Sequence, residues 1–215
     1  NDYYLRMDNR SEFEVGLGRR LQTAFYLNLT TQTKTIDESS VKTHETENEI
    51  SFSNEWKLKL SDPVANPVGI ALYGEYTIGS KEMELEGKLI LDKTINNFTL
   101  ASNAVYELEL AAETTNNQFF WKKEHKIDFN LALAYSFNPK FALTLENVSK
   151  NVFSENGLEN SALYPGPGFS FIQENFWVNF TALPQVKSFK GQTGSSLNLN
   201  EFEKVQFRLL FSYVF

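Results

Sequence analysis

The chain has 215 residues, 41% of them hydrophobic and 14% aromatic, with a formal net charge of −7 and no cysteine. That length supports one large domain or two small ones, and the lack of cysteine excludes a disulfide framework, a thiolate metal site and a thiol nucleophile. The acidic balance, with a pI of about 5.0, argues against nucleic acid or anionic headgroups as main partners, because both demand a basic surface.

No apolar run approaches the ~20 residues of a membrane helix. The hydrophobic pattern instead has a period of two, the signature of strands with one apolar and one polar face. Residues 5–18 set Leu5, Met7, Phe13, Val15 and Leu17 against Arg6, Asp8, Arg10, Glu12 and Glu14. After a short turn, 23–34 alternates Phe25, Leu27 and Leu29 with Ala24, Tyr26 and Asn28. The polar, acidic stretch 35–47, which contains His44, predicts a long loop. Strand 50–60 carries Phe52, Trp56 and Leu58 against Ser53, Glu55, Lys57 and Lys59, and 61–67 has turn chemistry. Strand 68–78 opposes Leu72, Tyr76 and Ile78 to Tyr73, Glu75 and Thr77. Strand 81–91 opposes Met83, Leu85 and Leu89 to Glu82, Glu84, Glu86 and Lys88. Strand 98–112 follows, with Glu107 and Glu109 on its polar parity, and then a predicted loop at 113–120.

In 121–137, Phe129, Leu131, Leu133 and Tyr135 alternate with Lys126, Asp128, Asn130 and Ala132. Asn138-Pro139-Lys140 makes a tight hairpin into 141–148, where Glu146 is polar-facing, and 149–161 predicts another long loop. Strand 162–172 is interrupted by Pro165, Gly166, Pro167 and Gly168, which predict a bend. Strand 176–183, a loop at 184–200 and a closing strand at 205–215 complete the chain.

Eleven alternating segments result, most of them longer than the ~5–6 residues of ordinary strands and matching the ~9–11 of a membrane-crossing strand. The connections sort by end: short after residues 18, 60, 91, 137 and 172, and long after 34, 112, 148 and 183, with 78–81 the short exception. Ionisable groups fall almost wholly on one parity. A charge on a lipid-facing position at mid-membrane costs ~2–4 kcal/mol for Arg or Lys, so a lipid-embedded wall has this segregation.

The last stretch alternates Val205, Phe207, Leu209, Phe211, Tyr213 and Phe215 with Gln206, Arg208 and Ser212. It resembles the C-terminal strand signal of Gram-negative outer-membrane β-barrels, with Phe207, Phe211, Tyr213 and Phe215 as the signal residues. The resemblance implies an all-β, antiparallel up-and-down transmembrane β-barrel, a single domain over 1–215. About twelve strands are expected, eleven of them readable, with a first ascending strand expected before Asn1. It further implies an outer-membrane location with both termini periplasmic. The implied partners are the lipid bilayer and, during biogenesis, the barrel-assembly machinery, without nucleic acid.

The residues expected to line the lumen are Arg6, Arg10, Glu12, Glu14, Glu55, Lys57, Glu75, Glu84, Glu86, Glu107, Glu109, Asp128 and Arg208. Acidic groups outnumber basic ones on this parity by nearly two to one. One reading is a passive, porin-like channel or transporter-like protein whose acidic lumen favours cations. The other is a non-conducting barrel rigidified by Glu–Arg and Glu–Lys pairs, serving as subunit or scaffold for protein partners in an outer-membrane complex. The enzymatic comparison is the twelve-stranded outer-membrane lipid hydrolase with a lipid-facing Ser–His pair. Here His125 has lipid parity but no serine in supporting context, so no catalytic residue is assigned and an enzyme is not expected. The row Glu82, Glu84, Glu86 lies along one strand face, whereas a hard cation wants ligands converging from several directions; no metal or other cofactor is expected.

Overall fold

The computed structural model describes residues 3–38, 41–115, 118–154, 156–191 and 194–214. Among them are eleven strands and no helix: β1 (Tyr4–Gly16), β2 (Leu21–Glu38), β3 (Val41–Ser61), β4 (Gly69–Gly79), β5 (Glu82–Ile95), β6 (Phe98–Thr115), β7 (Gln118–Asn138), β8 (Phe141–Ser154), β9 (Gly157–Ile172), β10 (Phe176–Pro184) and β11 (Val205–Tyr213). They hydrogen-bond in chain order from β1 to β11, the all-β antiparallel up-and-down architecture that the alternation predicts. Phe215, one of the expected signal residues, lies outside the described residues. The chain divides into two compact units. The first comprises Asn1–Leu58, Tyr73–Glu86 and Leu108–Lys123; the second comprises Lys59–Leu72, Gly87–Glu107 and Glu124–Phe215.

Register carries the two faces from strand to strand. In the first unit Ala24 pairs with Glu14 on one side and Glu55 on the other, while Tyr26 pairs with Glu12 and Ser53. Charged-parity positions therefore align into one face, and Phe25, Leu27, Ile50 and Phe52 into the opposite one, as period-two side-chain direction requires. The burial is the reverse of a water-soluble sheet. Leu27 and Ile50 are 60% and 63% exposed, whereas Ala24 and Ser53 are fully buried and Glu55 is 2% exposed. In the second unit the middle of β7 and β8 repeats this, with Phe129, Leu131 and Leu145 exposed and the opposite parity half-buried or buried. On its apolar face a chain of ring contacts runs Phe98–Tyr135–Phe137–Phe141–Phe169–Phe180–Phe207, with centroids 4.9–6.4 Å apart.

Three of the four long loops predicted from polarity are strand instead. Residues 35–38 belong to β2 and 41–47 to β3, which pair through Glu38↔Val41; 113–120 is mostly β6 and β7; 149–161 is mostly β8 and β9. Polar composition misleads here because a ladder needs cross-strand pairs, not an apolar face. Thr31 Oγ1 donates to Asn48 Oδ1 at 2.8 Å, and the hydroxyls of Thr33 and Thr46 meet at 3.0 Å, so β-branched threonines extend the hairpin. The expected sorting of connections into short and long ends fails with those loops. On the predicted long side only 185–204 is an extended connection.

The bend expected at residues 165–168 is also absent from β9, which pairs with β8 through Glu146↔Gly166 and Leu145↔Pro167. The effect falls on the neighbour. The prolines have no N–H to give, and the β9–β10 ladder runs only from Trp177↔Ile172 to Thr181↔Gly168. Beyond it, β10 crosses so close that a Cβ at Gly166 would lie 1.8 Å from the Ala182 carbonyl oxygen. Pairing with β9 resumes at Leu163↔Lys187, after β10 has ended.

One polar side chain on the apolar face was passed over in the alternation. Asn54, 4% exposed, donates to Thr23 Oγ1 at 3.1 Å and to the Ala24 carbonyl at 2.9 Å, and the Trp56 indole N–H donates to its Oδ1 at 2.7 Å. Its hydrogen-bonding groups are thus satisfied locally, as a polar group out of water requires.

Candidate functional site

The charged face of the first unit is organised by Arg10 of β1. Its guanidinium lies 4.1 Å from the centroid of the Tyr26 ring on β2 and donates to Glu75 Oε1 on β4 at 2.7 Å. A flat sheet would hold β1 and β4 about 14 Å apart, so a direct contact between them means that this face of the unit is concave. Glu75, with 6% of its side chain exposed, also accepts from the Tyr73 hydroxyl and from Thr77 Oγ1 at 3.3 Å. Thr77 meets Ser53 Oγ at 2.9 Å. Glu55 accepts from the Tyr26 hydroxyl and lies 2.9 Å from Lys57 Nζ, which sits 5.9 Å from the Tyr73 ring centroid. Two acids, two cations and two tyrosines form one connected network. Tyr26 and Tyr73 fall on the polar parity in the sequence but are not among the expected lumen residues, because charged side chains alone marked that face.

The second unit has a parallel arrangement at the other terminal strand. Arg208 of β11 donates to Glu146 Oε2 of β8 at 2.5 Å, again spanning three strand spacings, and Thr181 Oγ1 of β10 donates to Glu146 Oε1 at 2.9 Å. Gly168 of β9 lies between. A Cβ there would come within 2.5 Å of Thr144 Oγ1, 2.6 Å of the Phe180 carbonyl oxygen and 3.0 Å of Thr181 Oγ1, so glycine lets the two threonines and β10 close in over β9. Thr144, Ser170, Asn179 and Leu210 join Glu146, Thr181, Phe169 and Arg208 around a cleft of about 150 Å³ on this face. Glu107 is paired with Lys126 at 2.9 Å, and Lys126 lies 3.9 Å from Glu124.

The remaining predicted residues sort differently. Arg6 pairs with Asp8 on its own strand at 2.9 Å, and Glu12 and Glu14 are exposed on β1. Glu84, Glu86 and Glu109 are half-buried on the charged parity, and carboxylate oxygens of Glu82, Glu84 and Glu109 lie within 4.8 Å of one another. Asp128 splices the wall: its Oδ1 accepts from the Asn151 N–H at 3.2 Å, while Asn151 Nδ2 donates to the Ile127 carbonyl at 2.9 Å. Phe207, Phe211 and Tyr213 are exposed on β11. His125 Nδ1 lies 2.8 Å from the Tyr106 hydroxyl, and His44 Nδ1 lies 3.3 Å from Thr35 Oγ1.

Beyond Glu146 the same face turns apolar. Val148, Ala162, Tyr164 and Leu183 are buried together, with Phe202 of the 185–204 segment packed against them. The Tyr164 hydroxyl donates to the Glu203 carbonyl at 2.8 Å and accepts from Gln185 Nε2 at 3.1 Å. Gln185 Oε1 accepts from the Asn198 N–H at 2.7 Å, and Asn198 Nδ2 donates to Asn160 Oδ1 at 2.8 Å. Ser161 Oγ accepts from the N–H groups of Phe189 and Lys190, both at 2.8 Å. Neither Gln185 nor Asn198 carries a signal in the sequence, since both sit in a stretch with loop composition.

No match to this chain was found among curated proteins. A family model matches residues 2–215, nearly the whole chain. The chain therefore belongs to the family of unknown function DUF6662.

Proposed function

We propose that this chain forms the wall of an outer-membrane β-barrel that passes small polar solutes passively, cations in preference to anions. One observation carries the reading: the reversed polarity of the sheet, with large apolar side chains exposed on one face and ionisable groups such as Glu55, Glu75 and Glu146 paired and at least half-buried on the other. In water, each exposed Leu, Ile or Phe forgoes about 1.5–3 kcal/mol of burial. Lipid contact recovers that burial, and the aromatic row of the second unit suits a lipid-facing wall. The cation preference follows from the acidic excess on the opposite parity. In this reading Phe215 lies at the periplasmic end, both termini of a full-length twelve-stranded barrel face the periplasm, and the barrel-assembly machinery inserts the chain.

A second reading is a non-conducting scaffold in an outer-membrane complex. It is favoured by the pairing of Glu55, Glu75, Glu107 and Glu146 with cations and by the segment bound over Tyr164. Planar-bilayer recording on the purified, folded protein separates the two. Stepwise currents with a cation-selective reversal potential are expected; a silent bilayer containing folded protein refutes conduction and leaves the scaffold.

A further inference from the structure

The 185–204 segment meets the sheet where β9 and β10 part. The Pro165 and Pro167 ring nitrogens cannot donate, and Gly166 leaves room for β10 to cross close above β9. The segment then returns along β9: the Leu163 N–H donates to the Lys187 carbonyl at 2.8 Å and the Val186 N–H to the Leu163 carbonyl at 2.9 Å. Beneath it the charged parity of β8 and β9 is apolar, with Val148, Ala162 and Tyr164 in positions that elsewhere hold Glu146 and Thr144. The segment's apolar hold is Phe202, packed against Val148, Ala162, Tyr164 and Leu183, while Val186, Phe189 and Leu199 are 47%, 63% and 47% exposed. Its polar grip is spread along β9: Asn160, Ser161 and Leu163 bond to Asn198, Phe189, Lys190, Lys187 and Val186, and the Tyr164 hydroxyl ties the two ends of the segment together through Gln185 Nε2 and the Glu203 carbonyl.

We propose that residues 185–191 and 194–204 form a latched strap that shields the β8–β9 part of the charged face, and that opening the Tyr164 latch frees it. A covering segment outside the ladder, tied at its ends by one hydroxyl, opens locally at lower free energy than the strands beneath it. The consequence for transport rests on the channel reading: a closed strap narrows the passage and an open one widens it. The shielding itself does not rest on that reading.

The absence of cysteine makes the test direct. Ala162, 1% exposed beneath the strap, is changed to Ala162→Cys, and alkylation by a water-soluble maleimide is followed in protein folded into lipid vesicles. Slow labelling is expected in this parent. Tyr164→Phe keeps the ring and removes only the hydroxyl; combined with Gln185→Ala it should accelerate labelling by about ten-fold or more while far-UV circular dichroism stays unchanged. Labelling of the parent as fast as in denaturant overturns the shielding, and a rate indifferent to both latch variants overturns the latch.

A second measurement uses Leu163→Cys with Lys187→Cys, an antiparallel pair whose backbones are already within disulfide reach. In the latch-variant background, oxidation should return conductance to the parent level and reduction should raise it again. Currents that ignore the cross-link overturn the gating role. If no variant conducts but labelling still responds to the latch, the channel reading fails and the strap stands.

Discussion

Arg10 and Glu75 offer the sharpest test of how the charged face is held. Arg10→Ala removes the cation from a carboxylate whose side chain is only 6% exposed, leaving it the hydroxyls of Tyr73 and Thr77. Breaking a fully buried pair costs about 3–5 kcal/mol, and breaking an exposed one about 0–1. The arginine end is 47% exposed, so this pair falls between, at about 1.5–3 kcal/mol for the single variant. Part of that loss is the contact with the Tyr26 ring, worth about 0.5–2 kcal/mol. A double-mutant cycle with Glu75→Gln removes that part and should return a coupling of about 1–2 kcal/mol. Arg6–Asp8 is the control, with side chains 45% and 51% exposed; its coupling should stay below about 0.5 kcal/mol. Urea unfolding of protein folded into vesicles, read as midpoint and slope, supplies the four free energies of each cycle. A coupling for Arg10–Glu75 within about 0.3 kcal/mol of zero, or equal to the control, refutes the view that this bridge braces the concave face.

Adjacent positions on β7 test the two faces. Leu131→Arg should cost about 2–4 kcal/mol in vesicle folding, while Ala132→Arg, opposite Glu146, should cost less than half of that; equal costs would contradict a lipid-facing apolar side. Gly166→Ala should lower folding stability by about 3 kcal/mol or more, because its Cβ meets the Ala182 carbonyl oxygen, whereas Gly16→Ala enters open space and should be tolerated in the same urea unfolding. In the β3–β4 turn, the Asp62 carboxylate is held down to about 2 by its hydrogen bond from Lys59 and those from the Val64 and Ala65 N–H groups. A depressed folded value means that the stabilisation is complete above the ordinary carboxylate range and is lost as pH falls through about 2. Carbon-13 titration of the Asp62 carboxyl should show this, and Lys59→Ala should move the midpoint up; a midpoint near the ordinary 3.8 in the parent would dismiss the turn's charge-assisted geometry.

Face segregation was legible without coordinates because side-chain direction in a strand has period two whatever its neighbours do. Leu27 and Tyr26 must point to opposite sides wherever β2 pairs. Strand order followed from the same pattern, since short connections favour antiparallel neighbours. Three things depended on tertiary structure. Polar composition at 35–47 does not distinguish a loop from a ladder, because the threonine and asparagine pairs that extend β2 and β3 exist only across strands. The partner of each charge lies up to three strands away: parity puts Arg10 and Glu75 on one side, but concavity brings them to 2.7 Å. The prolines of β9 read as a bend in their own strand. Their missing donors face the next element, so the change appears in β10 and in the segment bound over Tyr164, where a hydrogen-bond ladder ends for want of an N–H.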